Sequence, residues 1–306
     1  MSRRRPRGRP IHGWLSIDKP QGMTSTQVVS AVKRITDAQK VGHGGTLDPL
    51  ATGVLPVALG EATKTVQYVM DAPKAYRFTI RLGARTDTDD SEGTVVATSG
   101  SRPATEDLAA ALGGFVGEIE QRPPTYAAVK VQGERAYDLA RRGEAVELAP
   151  RTVRIDRLAL VERPDPDHVV LEMECGKGAY VRALARDLGE ALGCLGHVVQ
   201  LRRTRVGGFT AAESISLEAL EQAVANDTLP QVLVPVATAL VGIPALAVTE
   251  PQADRLRAGQ PIVVTPQLLP ERTGDGAVLR AMRSGRVVAL ARLDGPELAP
   301  LRVFNW

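Results

Sequence analysis

The sequence predicts an α+β fold, and three observations carry that reading. Several short stretches alternate apolar and polar residues strictly, and helical periodicity interrupts them at separated points. Beyond about residue 240 the texture turns to brief β-rich runs broken by Pro and Gly. A first helix is predicted at about 24–36, where Thr24 and Gln27 match a capping box and Val28, Val29, Val32 and Ile35 recur at helical spacing. The Gly-rich stretch Gly42-His43-Gly44-Gly45 follows. In 76–82, Tyr76, Phe78, Ile80 and Leu82 face one way and Arg77, Thr79 and Arg81 the other, a half-buried strand. Alternation returns at 151–161 and again at 169–175, where Leu171, Met173 and Cys175 interleave with Glu172 and Glu174. A helix is read from about 180 to 192, with Val181, Leu184, Leu188 and Leu192 on one face and Gly193 as its stop. The runs Ile262-Val263-Val264 and Val287–Leu293 place a small β domain at 246–306, after a main domain at 11–245.

The 306 residues are 43% apolar and 24% charged, which excludes wholesale disorder and a fibrous repeat. No apolar run approaches the roughly 18 residues that a membrane helix needs. Two cysteines, Cys175 and Cys194, make neither a disulfide framework nor a four-ligand metal site. A soluble chain in a reducing, cytoplasmic compartment is therefore expected. The net charge of +3 hides an asymmetry: residues 1–10 carry five arginines and no acid, so 11–306 hold 33 basic against 35 acidic side chains. This tail is expected to be disordered, and it is either a phosphate-tracking arm or a solvated end. Its twin arginines precede no apolar segment of the kind a secretion signal requires.

Several generic chemistries fall away. Asp87, Asp89 and Ser91 mimic the start of a calcium loop, but the required Gly is Glu92 and the twelfth position is Thr98. No GxxxxGK[ST] loop, complete GxGxxG or GxSxG elbow occurs, and four scattered histidines show no ligand spacing. What remains is 41–64, VGHGGTLDPLATGVLPVALGEATK. Pro49 biases Asp48 toward an extended conformation. The preceding glycines admit close approach, and the apolar run 54–59 would anchor the loop. Local chemistry leaves two readings of Asp48. It is a nucleophile or general base beside a glycine opening, or an Asx-turn residue capping its own backbone.

Gly42-His43-x-Gly45-Thr46-Leu47-Asp48-Pro49-x-Ala51-Thr52-Gly53 resembles the signature loop of TruB-type tRNA pseudouridine synthases. Further matches follow that family's order. They are Asp18-Lys19-Pro20-Gln21-Gly22-Met23-Thr24-Ser25, Lys74-Ala75-Tyr76, Arg81-Leu82-Gly83 with Arg85-Thr86-Asp87-Thr88-x-Asp90, Lys177-Gly178-x-Tyr180-Val181-Arg182, and Leu201-Arg202-Arg203. The likeness spans about 11–210. It implies a mixed, largely antiparallel sheet flanked by helices, a pseudouridine synthase catalytic domain over 11–245, and a PUA-like RNA-binding β domain at the C-terminus. The implied reaction is isomerisation of uridine to pseudouridine in the T arm of tRNA, at position 55 in tRNA numbering. No cofactor, metal, guide RNA or partner protein is implied, and a monomer suffices.

The resemblance also implies roles for single residues. Asp48 is the essential carboxylate. It acts by an ester at C1′, by removal of a ribose proton, or by addition to C6 of the base. In a dry pocket desolvation raises a carboxyl pKa, and Arg182 is the partner that offsets this; periodicity alone equally permits an exposed helix arginine. Tyr76, otherwise a core tyrosine, stacks on the uracil. Tyr180 and Leu201 complete the pocket wall. The target nucleotide must be extruded from the folded RNA, with His43 as the candidate wedge. Thr46, Asp90, Lys19 and Lys177 are candidate substrate contacts, the two lysines through phosphates or loops. The stretch 122–145, with Lys130, Arg135, Arg141 and Arg142, is either a mobile arm closing on RNA or an ordinary charged helix and loop. With 11 aromatics in the whole chain, a multi-base stacking platform is not expected.

Overall fold

The alternating segments pair into one nine-stranded sheet. The structure, a computed structural model, describes residues 8–127, 130–131, 134–135, 142, 148–271 and 273–306. The main strands lie in the order Gly13–Lys19, Thr52–Leu59, Gly196–Val206, Lys74–Leu82, His168–Cys175, Arg151–Asp165 and Gly117–Gln121. Val41–His43 pairs with 52–59, and Phe209–Thr210 with 196–206. Among these strands only 52–59 and 196–206 run parallel, so the sheet is mixed and largely antiparallel, in agreement with the sequence. The 76–82 strand begins two residues earlier than periodicity suggested, at Lys74, and 151–161 runs on to Asp165.

Register puts the key side chains in rows. Tyr76 lies opposite Met173 on one side and Arg203 on the other, and Phe78 lies opposite Leu171 and Leu201. Directly paired residues share a sheet face. This face packs Phe78, Ile80, Leu171 and Met173 against Leu108 and Leu112 of the Thr105–Leu112 helix and Leu184 and Leu188 of the Val181–Ala191 helix. The latter starts after Tyr180 and is followed by Gly193 at φ +64°. The first helix is Ser25–Thr36, and its capping box forms as the sequence proposes: Gln27 N donates to Thr24 Oγ1 at 3.1 Å, and Thr24 N donates to Gln27 Oε1 at 2.7 Å. That helix covers Leu15, Ile17, Leu55 and Val57 on another part of the sheet.

A second, five-stranded sheet follows in the order Ala245–Ala247, Val278–Arg283, Arg286–Asp294, Glu297–Val303 and Ile262–Val263. Leu246, Leu256, Leu279, Val288 and Leu298 are among the residues of its own core. Val287, Leu290 and Phe304 pack instead with Trp14, Val54 and Phe209, joining it to the main sheet. Within the stretch 1–10 expected to be disordered, Arg9 is paired. Arg9 N donates to Asp37 O at 2.6 Å and Arg9 O accepts from Gln39 N at 3.1 Å, pairing this residue beside the end of the first helix. Residues 1–7 lie outside the described residues, as do Arg141 and the side chains of Lys130 and Arg135 in the stretch read as an arm.

Candidate active site

The loop between strands 41–43 and 52–59 has no regular hydrogen bonding, yet each carbonyl from Gly45 to Pro49 is held. Arg203 donates to Gly45 O and to Thr46 O, both at 3.2 Å. Ser25 Oγ donates to Leu47 O at 3.0 Å and accepts from Leu47 N at 2.8 Å. Ala51 N donates to Asp48 O at 3.1 Å, and Gly22 N to Pro49 O at 2.8 Å. Leu47, Leu50 and Ala51 bury their side chains in the main core. Gly44 lets the loop pass the core, since a Cβ there would lie 2.5 Å from Val69 Cγ1.

Lys19 completes the anchoring. Its ammonium is fully buried and donates to Met23 O at 2.6 Å, Pro20 O at 2.8 Å and Pro49 O at 3.2 Å. Burial pulls its pKa down to about 8, with the nearby charge of Asp48 opposing. The phosphate reading of Lys19 is therefore replaced by a loop contact: all its donors are spent inside the protein.

With its backbone held, Asp48 turns its carboxylate away from main-chain amides and toward the helix at 181–191. Asp48 Oδ2 lies 3.0 Å from Arg182 Nη2, and the Asp48 side chain remains 36% exposed. Arg182 is 5% exposed, which removes the surface reading. It is fixed from behind by Thr88 O at 3.1 Å, Tyr126 O at 2.9 Å and Asp90 Oδ2 at 3.5 Å. Asp90, 2% exposed, is held in turn by Thr88 Oγ1 at 2.6 Å and Glu92 N at 3.0 Å. Its carboxylate thus backs Arg182 and bonds protein groups. One carboxylate reaches toward solvent while the cation that balances it is buried and oriented, an arrangement suited to a reactive anion in a partly dry cleft.

Tyr76 and Tyr180 are half-buried. Burial pushes the Tyr76 phenol above its ordinary pKa, opposed by the Arg203 guanidinium within hydrogen-bonding reach of the hydroxyl. Tyr180 is raised for the same reason, with Arg151 opposing and Asp48 adding to the rise. The Gln121 side chain clamps the Tyr180 backbone, accepting from its N at 2.8 Å and donating to its O at 3.1 Å. Leu201 packs with Leu47, Leu50 and Phe78 and lines a cavity of about 410 Å³ beside Leu50, Thr52 and Arg202. His43 ends its strand half-buried, its Nδ1 accepting from Gly45 N at 3.4 Å. Thr46 is exposed at the loop surface. Lys177 is apart from this group, paired on the surface with Asp71 at 2.6 Å.

The chain matches the family "TruB family pseudouridylate synthase (N terminal domain)" over residues 33–181 and "tRNA pseudouridylate synthase B C-terminal domain" over 182–241. The chain is 54% identical to the tRNA pseudouridine synthase B of Caulobacter vibrioides, over 99% of each sequence. It is 55% identical to that of Nitrobacter winogradskyi, over 97% of this chain and 84% of the relative.

The chain belongs to the TruB family of pseudouridylate synthases.

Among solved structures, a chain of a crystal structure of a Cbf5-Nop10-Gar1 complex superposes with a TM-score of 0.77 at 27% identity, covering 96% of this chain and 85% of that one. This TruB-family fold explains why the motifs quoted from the sequence, scattered from Lys19 to Arg203, converge on one loop. The boundary between the two family matches, at 181/182, falls where the Arg182 helix begins, whereas strand 196–206, inside the second match, lies in the middle of the main sheet. Sequence reasoning missed Ser25, Gln121 and Arg203 as parts of the site. Arg203 stood in a quoted motif, but two adjacent arginines in an alternating strand give no sign of which one faces inward. Among the described residues no group of three or more His, Cys, Asp or Glu side chains could hold a metal ion, and no helix is long and apolar enough to cross a membrane.

Proposed function

We propose that this enzyme isomerises uridine to pseudouridine in tRNA, at position 55 of the T arm, with Asp48 as the reacting carboxylate. The observation that carries this reading is the partly exposed Asp48 carboxylate set 3.0 Å from the buried guanidinium of Arg182. The substrate class is supported by relatives named tRNA pseudouridine synthase B that align along nearly the whole chain. In the reaction the N1–C1′ bond breaks, the freed uracil rotates and C5 bonds to C1′; the C5 proton leaves and N1 gains one. Asp48 serves this as the anion facing the ribose, and Arg182 balances its charge in the cleft while Asp90 fixes Arg182. Tyr76 stacks on the base, Tyr180 and Leu201 form the wall, and His43 fills the gap left by the extruded nucleotide. Thr46, at the loop surface, and Lys177 contact the RNA at the rim. The sheet at 246–306 is a PUA-like RNA-binding domain beside a catalytic domain at 11–245. The enzyme works in the cytoplasm as a monomer, without guide RNA.

The test is pseudouridine formation on an unmodified T-arm stem-loop by the purified chain alone. Asp48→Asn is expected to lower the rate by at least about 10⁴-fold while tRNA binding persists. An active Asn variant refutes the role of the carboxylate. The structural likeness to a Cbf5-containing complex favours a second reading, dependence on an RNA guide and partner proteins; activity of the purified chain alone removes it.

A further inference from the structure

Arg203, in the main sheet, is 2% exposed and its guanidinium is bonded to the carbonyls of the active-site loop. Taking a guanidinium out of water costs several kcal/mol unless its donors are satisfied. Here each of the three guanidinium nitrogens donates to a carbonyl. Nε donates to Val54 O at 2.8 Å, Nη1 to Thr46 O and Nη2 to Gly45 O, both at 3.2 Å, and the Tyr76 hydroxyl lies within hydrogen-bonding reach. Its backbone pairs with Tyr76 on one side and Gly53 on the other. Gly53 is required for this passage: its φ is +95°, and a Cβ there would lie 2.2 Å from Arg203 O. The nearby Asp48 charge partly offsets the cost of burying the guanidinium.

We propose that Arg203 is a positioning residue of the reaction, tying the loop that presents Asp48 to the strand that presents Tyr76 so that both meet the nucleotide as one unit. The hydrogen bonds of Arg203 go to carbonyls and not to the Asp48 carboxylate; it acts through the carbonyls of Gly45 and Thr46 on the loop and through its pairing with Tyr76 in the sheet. A lysine in its place keeps the charge but replaces three nitrogens set apart in a planar fork, each bonded to a different carbonyl, with a single ammonium. The inference rests on the pseudouridine synthase reading of the same site.

The experiment is single-turnover pseudouridine formation on an unmodified tRNA transcript, with tRNA affinity and thermal stability measured alongside, for wild type, Arg203→Lys, Tyr76→Phe and the double variant. Wild-type inactivity would sink the functional reading itself, whereas wild-type activity isolates the present inference. Arg203→Lys is expected to lose about 10²-fold in rate, as a displacement near 1 Å can cause, with affinity within about twofold. In the Tyr76→Phe background the same substitution should cost less than it does alone, because one of its two routes is already removed. A rate within about threefold of wild type, or a loss that matches the unfolded fraction, overturns the proposal. If Arg203→Lys does not fold, hydrogen exchange of the Arg203 guanidinium in ¹⁵N-arginine protein decides. Slow exchange in wild type, faster in Tyr76→Phe at unchanged melting temperature, supports the tie, and equal exchange in both overturns it.

Discussion

In the loop that carries Asp48, the backbone is held by the side chains of Arg203, Ser25 and Lys19, whereas in the sheet formed by 245–303 strand pairing holds the backbone and the interior is apolar. The first region spends stability on position. Two cations are removed from water there, and each must be matched by carbonyls aimed at it. The second region gains stability from buried area and places no reacting group. Substitutions in the loop should therefore cost rate more than stability, and substitutions in the second core should do the reverse.

The largest effect expected after loss of Asp48 itself is at Arg182. Arg182→Lys retains charge but loses the fork shared among Asp48, Thr88 O, Tyr126 O and Asp90, and should cut single-turnover rate by about 10²–10³-fold with tRNA affinity preserved. A rate close to wild type would return Arg182 to a structural role and erase half of the contrast.

Lys19 sharpens it through pH. Its folded pKa of about 8 lies below the ordinary 10.5. Between those values the unfolded chain keeps a proton that the folded chain has released, so stability should rise as pH climbs from 8 to 10.5. Over the same interval the neutral amine anchors the loop less firmly, and the rate should fall. Lys74, lowered to about 8 by burial as well, adds to the stability slope. Lys19→Met should lose about 10²-fold in rate and flatten, without abolishing, the rise in melting temperature with pH. An unchanged slope would show that the buried ammonium titrates as if exposed.

In the second sheet, Leu279→Ala empties a fully buried position and should cost about 2–5 kcal/mol by denaturant unfolding. The rate per folded molecule should stay within about twofold; a large loss of rate would mean that this core also positions the site. The smallest effect belongs to Arg257→Ala, which removes surface ion pairs with Glu250 and Asp254 and should change stability by at most about 1 kcal/mol.

The legibility of these regions differs for physical reasons. The 74–82 strand and the 181–191 helix were visible because a side chain pattern repeats with the period of the backbone. The capping box at Thr24 was visible because its two partners are three residues apart. Asp48 and Arg182 were legible as motif members, but their meeting was not. They lie 134 residues apart, and the helix periodicity at Arg182 fitted an exposed side chain as well as a buried one. Lys19 was read as a candidate for a phosphate or a loop, and only the carbonyls of Met23, Pro20 and Pro49 around it assign the loop. Arg202 and Arg203 show the limit most plainly. Alternation puts them on opposite faces, and Arg202 pairs with Asp18 at 2.8 Å near the surface while its neighbour is enclosed.

The amino-acid sequence by itself determined the α+β class, the family likeness and the identity of the acidic loop, because periodicity, turn chemistry and contiguous motifs are written along the chain. Which polar side chains face inward, and which carbonyls meet them, was decided by tertiary structure alone. A buried charge is tolerable only where separate strands and loops bring it enough partners, and that condition depends on residues far away in the chain.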